Sequence, residues 1–266
     1  MVNVCEECGE AKKFRNTRGT IWRLACACGD FADFTPKQRA TIIVPSKFPD
    51  IFVDCRDTIN KFAPKENKIL VRDGHDIVPP DNWKTIQGSE GKFVYSRNIN
   101  LGIKQSTGDV LLTNDDVRFL HPNTLEILQN VLDKNPDVGI ISPLVKGDCG
   151  EYWQVHATRT LHLTEVRLCF VCVLIRRETL DKVGLLDERF SGYGYDDVDY
   201  CRRVVNAGYK LGVTARAQVL HGHGNNHRSA SYNRQEFGTI DALDKLAQQQ
   251  YLEKWGDLSL ECKSKV

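Results

Sequence analysis

Val110-Leu-Leu-Thr-Asn-Asp-Asp-Val117 is an apolar strand that stops abruptly at Asn114, Asp115 and Asp116. A buried strand ending in three side-chain oxygens places ligands for a divalent cation at one strand terminus. About eighty residues on, Phe190-Ser-Gly-Tyr-Gly-Tyr-Asp-Asp-Val-Asp199 sets a second acidic cluster, Asp196, Asp197 and Asp199. It follows a glycine-rich turn and opens an expected helix. One cluster for a metal and one for a proton is the equipment for moving a group from a phosphate leaving group to a hydroxyl. Each cluster also has a plain explanation, since turn aspartates satisfy nearby amides and acidic residues favour a first helical turn.

Outward from that strand, Thr41-Ile-Ile-Val44, Lys68-Ile-Leu-Val71, Lys92-Phe-Val-Tyr95 and Val138-Gly-Ile-Ile-Ser142 read as further short buried strands. Between them, Ile51 to Phe62, Ser96 to Gln105 and Pro122 to Lys134 have helical spacing, with Pro122 expected in a first turn. This order predicts an α/β fold with a mixed, mostly parallel sheet flanked by helices. Ligands of such sheets collect at the carboxyl ends of the strands, where Pro45, Asp73 and Asp115/Asp116 fall.

The later sequence is less regular. Residues 147 to 167 carry Tyr152, Trp153, His156, Arg159, His162 and Arg167 without clear periodicity and are expected to form a loop or irregular strands over the site, where Trp153 and His156 are candidates to line an acceptor. Arg177 to Val183, Asp197 to Ala207 and Ile240 to Trp255 are predicted helices; Tyr209 to Val213 and Ala217 to Leu220 are predicted strands. Cys169 and Cys172, amid Phe170, Val171, Val173 and Leu174, read as small buried side chains.

With 266 residues, 41 % hydrophobic and 27 % charged, the chain has the composition of a soluble globular protein. No run approaches a membrane span, and the first residues resemble no secretory signal, so a cytoplasmic location is expected. A net charge of +1 supplies no global attraction to nucleic acid or membrane. Without an export signal, ten cysteines read as thiols and metal ligands rather than disulfides.

Four of those cysteines stand near the amino end. Cys5-Glu-Glu-Cys8-Gly9 and Cys26-Ala-Cys28-Gly29 are two thiol pairs, each followed by the glycine of a tight turn. They predict a zinc ribbon or finger over residues 1–35, with structural Zn²⁺ on Cys5, Cys8, Cys26 and Cys28. The second pair has one residue between its thiols rather than two, and a thiol-bearing disordered leader is the alternative. Between the pairs, residues 11–23 carry five basic side chains, no acidic ones and two aromatics, which suits either nucleic-acid contact or a solvated surface.

Thr41-Ile-Ile-Val-Pro45, Val71-Arg-Asp-Gly74, the stretch from Ser96 to Asp109, and Thr113-Asn-Asp-Asp-Val117 together resemble the nucleotide-sugar half of family 2 glycosyltransferases. Leu174 to Phe190, the acidic turn and Ala207-Gly-Tyr-Lys-Leu211 are similar to the acceptor half of the same enzymes. The resemblance spans residues 41–256, as a 41–145 nucleotide-sugar half and a 146–256 acceptor half, and leaves 257–266 as a tail. It implies the GT-A fold and metal-dependent, inverting transfer from a nucleotide-sugar, with a UDP-sugar the expected donor. It further implies that Pro45 lies beside the nucleotide, that Asp73 contacts the base and that Asn98 lines the donor side. Asn114 and Asp116 then occupy the ends of the family's Asp-x-Asp motif, with asparagine at the first end. Asp116 becomes the expected Mn²⁺ or Mg²⁺ ligand and Asp115 a sugar or ribose contact. By the same resemblance, Asp197 is the catalytic base, Asp196 replaces the family's glutamate, and His221 reaches the metal or diphosphate. His223 is the runner-up for that role, and His227 is a weaker candidate in the same loop.

Two acceptors stay open: a hydroxymethylated base in DNA, if residues 11–23 bind nucleic acid, or a cell-surface glycan precursor. A nucleotidyltransferase would bring a glycine- and basic-rich loop after the first strand, and Ser46-Lys-Phe-Pro-Asp50 is not one. A catalytically silent module binding nucleotide-sugar or nucleic acid is the remaining alternative.

Overall fold

A computed structural model describes residues 40–77, 79, 82–89, 91–149, 151–191, 194–222 and 239–258, together with the backbone of 3–4, 11–17, 21–25 and 31–34. Cys5, Cys8, Cys26, Cys28, His223 and His227 lie outside the described residues. The chain divides into two compact units, Met1–Gln38 and Arg39–Val266.

The first unit is an antiparallel meander of β1 (Asn3–Val4), β2 (Ala11–Thr17), β3 (Ile21–Ala25) and β4 (Phe31–Phe34), paired in sequence order. Of the basic stretch, residues 11–17 lie on β2 and 21–23 on β3, paired out to Thr17↔Ile21.

The second unit is built on one large sheet. In chain order its elements are β5 (Thr41–Ser46), α1 (Pro49–Phe62), β6 (Asn67–Arg72), β7 (Trp83–Gln87), α2 (Tyr95–Ile103), β8 (Val110–Thr113), β9 (Val117–Phe119), α3 (Thr124–Lys134), β10 (Val138–Gly147), α4 (Tyr152–His156), β11 (His162–Thr164), β12 (Cys172–Ile175), α5 (Arg177–Val183), α6 (Asp196–Asn206), β13 (Lys210–His221) and α7 (Ile240–Trp255). The sheet order is β11-β13-β10-β12-β8-β5-β6-β7, and β9 pairs with β13.

Alternation along the strands explains the near-continuous apolar runs. Ile42, Val44, Leu70 and Leu111 point to one face, where Phe52 and Ile59 of α1 and Leu128 and Leu132 of α3 cover them. Ile43, Ile69, Val71, Val110 and Leu112 point to the other, under Ile99 of α2, Leu180 of α5 and Tyr200 of α6. A strand buried on both faces has no polar side to display.

The strand directions are mixed, as expected. β5, β6, β7 and β8 are mutually parallel, and β10 runs parallel to β13. β12, however, lies antiparallel between β8 and β10, and β9 and β11 run antiparallel to β13. Six of the nine described strands, β5, β6, β7, β8, β10 and β13, therefore share one direction, and the short segment Cys172–Ile175 inserts against it between β8 and β10.

Smaller corrections share a cause in tertiary packing. Residues 92–94 form no strand and lead into α2, whose N-cap is Val94. Pro122 precedes α3, while Pro49 takes the first-turn position of α1. The two strands expected between Tyr209 and Leu220 are one, β13, with an irregularity where Thr214 pairs Pro143 and Gln218 pairs Leu144. The edge strand β7 is held by Trp83, whose indole donates to Asn60 Oδ1 at 2.8 Å and meets Phe52 edge-on at 5.3 Å.

α7 docks through Ala247 and Tyr251, which join Phe190, Tyr195 and Val198 in a small cluster beside the start of α6. Beneath it lies Asp199, fully buried. Its carboxylate meets Arg203 Nε at 2.9 Å and Lys254 Nζ at 2.6 Å, and accepts from Trp255 Nε1 at 2.9 Å. Asp199 therefore fastens α7 to α6 and is spent on structure. Replacing it by leucine leaves Arg203 without its carboxylate, while Lys254 keeps Asp187 at 2.7 Å, and urea unfolding should show a loss of about 3 kcal/mol.

Candidate active site

The end of β5 organises one side of the site. Pro45 pairs with Val71 of β6, two residues past the last β5–β8 pair, Ile43↔Leu112. Its missing N–H falls where the two strands part, which is why proline is tolerated inside the sheet. One residue on, Ser46 O accepts the Asp73 N–H at 2.8 Å. Asp73 is buried, with both carboxylate oxygens engaged: Lys47 Nζ lies 3.1 Å from Oδ1, and Asn98 Nδ2 donates to Oδ2 at 3.0 Å. Asn98 in turn accepts the Ser89 N–H at 3.1 Å. Asp73 and Asn98 thus form one preorganised polar unit beside Pro45.

The turn after β8 is tied to the same strand end. Asp115 accepts from the Ser46 hydroxyl and the Lys47 N–H, yet burial and the neighbouring Asp116 push its pKa up to about 7. Asp116 points the other way, toward His221 at the end of β13, with Nε2 3.3 Å from Oδ1. The Asn114 amide nitrogen is 3.4 Å from the same ring nitrogen. On its far side, His221 Nδ1 meets the Asp148 carbonyl oxygen. Burial alone would lower the His221 pKa, but Asp116 and the Asp148 carbonyl outweigh it and raise it.

That contact allows β10 to run hard against His221. Gly147 pairs with His221 and has φ +95°, and a Cβ there would collide with the His221 carbonyl oxygen. Glycine is required on both counts.

The donor set suits a divalent cation. With Nδ1–H given to a carbonyl, a neutral His221 would present its Nε2 lone pair beside the Asp116 carboxylate, where a cation would replace the shared proton. Two protein groups are few, and among the described residues no group of three or more His, Cys, Asp or Glu is arranged to hold a metal. Mg²⁺ and Mn²⁺ bound with substrate phosphates take only one or two carboxylates, the rest of the shell being phosphate oxygen and water.

The second acidic cluster opens α6. Its N-cap, Tyr195, is buried at φ +67°, a left-handed conformation that is uncommon for an aromatic residue and concentrated at functional turns. Asp197 accepts the N–H of Val198 at 2.8 Å and that of Phe170. Burial raises the Asp197 pKa, against the pull of the Arg167 guanidinium and these amides. Burial and the Asp197 charge push Asp196 up to about 7. The Tyr95 hydroxyl, near both carboxylates, donates to the Phe170 carbonyl at 3.1 Å.

Two adjacent residues join the clusters. Phe170 supplies an N–H to Asp197, and the carbonyl of Val171 accepts the Asn114 N–H at 3.0 Å. The segment entering β12 is therefore flanked by the metal-side turn and the α6 start, and both face the same end of the sheet. Lys47, Tyr95, Arg167 and the Asp148 carbonyl are additions that sequence reasoning missed. Only Lys47, directly after the β5 terminus, carried a positional signal.

A pH dependence follows from the paired carboxylates. A base must be deprotonated to act, so a rate that depends on Asp197 falls as pH drops from 8 toward 5, with two apparent steps belonging to the Asp196–Asp197 pair. Stability runs the opposite way. Asp196 titrates near 3.8 ordinarily and about 7 here, so the folded state holds the extra proton between those values and loses stability as pH rises through them. Thermal melts should show Asp196→Asn more stable than wild type at pH 8 and nearly equal to it at pH 4.

Residues 70–184 match the family model described as glycosyl transferase family 2. An uncharacterized protein of Sinorhizobium fredii, y4gI, is 27 % identical over 228 aligned positions, covering 68 % of this chain and 24 % of the relative. The chain thus spans about a quarter of the length of that curated relative. Among solved structures, GalNAc-T7 with UDP, GalNAc and Mn²⁺ superposes with a TM-score of 0.57 at 11 % identity, over 73 % of this chain and 45 % of that one. The Pyrobaculum calidifontis mannosyltransferase PcManGT with GDP-Man and Mn²⁺ gives 0.55 at 17 % identity, over 76 % and 62 %. Staphylococcus aureus TarS gives 0.54 at 14 %, over 73 % and 38 %. These likenesses show a shared GT-A fold.

Proposed function

We propose that residues 41–256 form a metal-dependent, inverting glycosyltransferase that moves a sugar from a nucleotide-sugar to an acceptor hydroxyl. The observation that carries this is the Phe170–Val171 segment, which joins the Asn114–Asp116 turn to the Asp196–Asp197 start of α6. Pro45, Asp73, Asn98 and Asp115 form the donor side. Asp73 and Asn98 orient the nucleotide, and Asp115 approaches its ribose or sugar. Asp116 and His221, with Asn114 beside them, hold the cation. A bound Mn²⁺ or Mg²⁺ would supply charge stabilisation to the departing diphosphate.

Asp197 takes the acceptor proton as the acceptor oxygen forms its bond to the anomeric carbon. The bond from that carbon to the diphosphate oxygen breaks, and its electron pair leaves with the nucleoside diphosphate. Attack opposite the leaving group inverts the anomeric centre. Asp196, whose pKa is pushed up to about 7, is only partly ionised at neutral pH and so lessens the negative charge beside the base.

That cations accompany GalNAc-T7 and PcManGT in their complexes supports the metal assignment. The amino-terminal zinc reading rests on thiol spacing alone. No helix among the described residues is long and apolar enough to cross a membrane. Nucleotide release from UDP-, GDP- and TDP-sugars, measured with Mn²⁺ and with EDTA, tests the proposal. We expect release from one donor class, a UDP-sugar first, and its abolition by EDTA. Tight nucleotide binding without release from any donor would instead identify a silent binding module.

A further inference from the structure

α4 has two unlike faces. On one, Gln154 is fully buried: its Oε1 accepts the Cys169 N–H at 2.6 Å, and its Nε2 donates to the Cys169 carbonyl at 3.0 Å and to Ser142 Oγ at 2.8 Å. Glu151, the N-cap, is buried and accepts from Arg167 Nε at 3.3 Å, and Arg167 lies near Asp197. The helix is thereby clamped to the segment whose Phe170 N–H holds the proposed base.

The opposite face is aromatic and open. Tyr152 is 56 % exposed and Trp153 38 %. Trp153 stacks on His162 of β11 at 3.9 Å and 27°, Tyr152 meets Trp153 edge-on at 5.0 Å, and Tyr152 leans on His156 at 4.6 Å. Exposed large rings in one contiguous group, immobilised by mutual packing, mark a binding surface rather than scattered surface residues.

Charge selects the occupant. From residue 151 to 165 the charged side chains are Glu151, which Arg167 neutralises, and the exposed Arg159 and Glu165, which are opposite in sign. A phosphodiester backbone calls for clustered Lys and Arg, and residues 151–165 hold no such excess. An uncharged ring with one apolar face does fit: the C–H face of a pyranose lies on an aromatic plane, while its hydroxyls stay toward water and the imidazoles.

We propose that Tyr152, Trp153 and His162 form an acceptor platform that stacks a neutral sugar ring, so that the acceptor is a carbohydrate. The inference rests on the transferase reading in taking Asp197 as the acceptor side, since α4 begins one residue after the carboxylate that shares Arg167 with Asp197.

The chain holds four tryptophans, so indole ¹⁵N labelling gives few signals, and Trp153→Phe assigns the one that matters. The full protein is titrated with maltopentaose, cellopentaose, chitopentaose and mannopentaose, and separately with a single-stranded DNA oligonucleotide. We expect at least one oligosaccharide, and not the DNA, to shift the Trp153 signal. For that sugar as acceptor, Trp153→Ala and Tyr152→Ala raise KM about tenfold with a smaller change in kcat, the loss expected of one stacking ring. A Trp153 signal unmoved by every sugar, or moved by DNA alone, overturns the platform. So does a Trp153→Ala variant that loses kcat while its KM is unchanged. Sugar-induced shifts in a protein that releases no nucleotide from any donor would uphold the platform and sink the transferase reading instead.

Discussion

Asp197→Asn should lower the transfer rate by a factor of about 10²–10⁴, the contribution of a positioned proton acceptor, and leave Mn²⁺-dependent binding of the donor intact. Asparagine keeps an oxygen for the Val198 and Phe170 amides, which hold the α6 start in place. It has no charge with which to draw the acceptor proton. Steady-state transfer measured beside equilibrium donor binding separates the two effects. Wild-type turnover by the variant would refute the assignment of the base. Asp196→Asn is the internal control, with a smaller loss, since a group with a pKa pushed up to about 7 carries only part of a negative charge near that pH.

Asp116→Ala should abolish the gain in donor affinity that Mn²⁺ provides, by at least about 100-fold, because the carboxylate is the one charged protein ligand proposed for the cation. Titrating UDP into both proteins, with Mn²⁺ and then with EDTA, isolates the metal's share. In EDTA the two should bind alike, through the Pro45, Asp73 and Asn98 side of the site. If Mn²⁺ strengthens UDP binding equally in variant and wild type, the cation lies elsewhere. Removing His221 is expected to weaken the same step less. A neutral imidazole adds coordination without adding charge.

The two variants report on opposite ends of one short segment, Phe170–Val171. A loss of donor binding in the base variant, or of the base's pH profile in the metal variant, would show that this segment transmits distortion between them. Lys47 and Arg167 are the side chains to watch. Each meets a carboxylate on one side of the site, and neither was identifiable as a partner before the fold was known.

Local sequence carried a good deal of this protein. The helices α1, α3, α5, α6 and α7 followed from apolar spacing, α5 and α7 to the residue, because each buries one stripe and the period of that stripe is set by the helix itself. The strands β5, β6, β8 and β10 showed as short apolar runs for the reason that both faces are covered. Strand termini, and with them Pro45, Asp73, Asp115 and Asp116, were legible from the same runs. Strand direction was not, because β12 and β8 are both apolar and nothing in either says which way its neighbour runs. β7 escaped notice since an edge strand displays polar residues, Lys84 and Thr85 among them, and only Trp83 is buried, with Ile86 half-buried against the core.

What the chain determined by itself is an inventory: alternating elements, acidic groups at strand and helix ends, and rings in the stretch after β10. Tertiary structure alone decided their allegiance. Three aspartates share the α6 start, yet Asp199 is consumed by Arg203, Lys254 and Trp255, and Asp196 and Asp197 gather near Phe170 and Tyr95. A helix sends successive side chains about 100° apart, so neighbours in sequence serve different surroundings. Which of them meets a cation, a proton or a salt bridge depends on what packs against each face, and that is settled largely by partners distant in sequence, such as Tyr95, Phe170, Lys254 and Trp255.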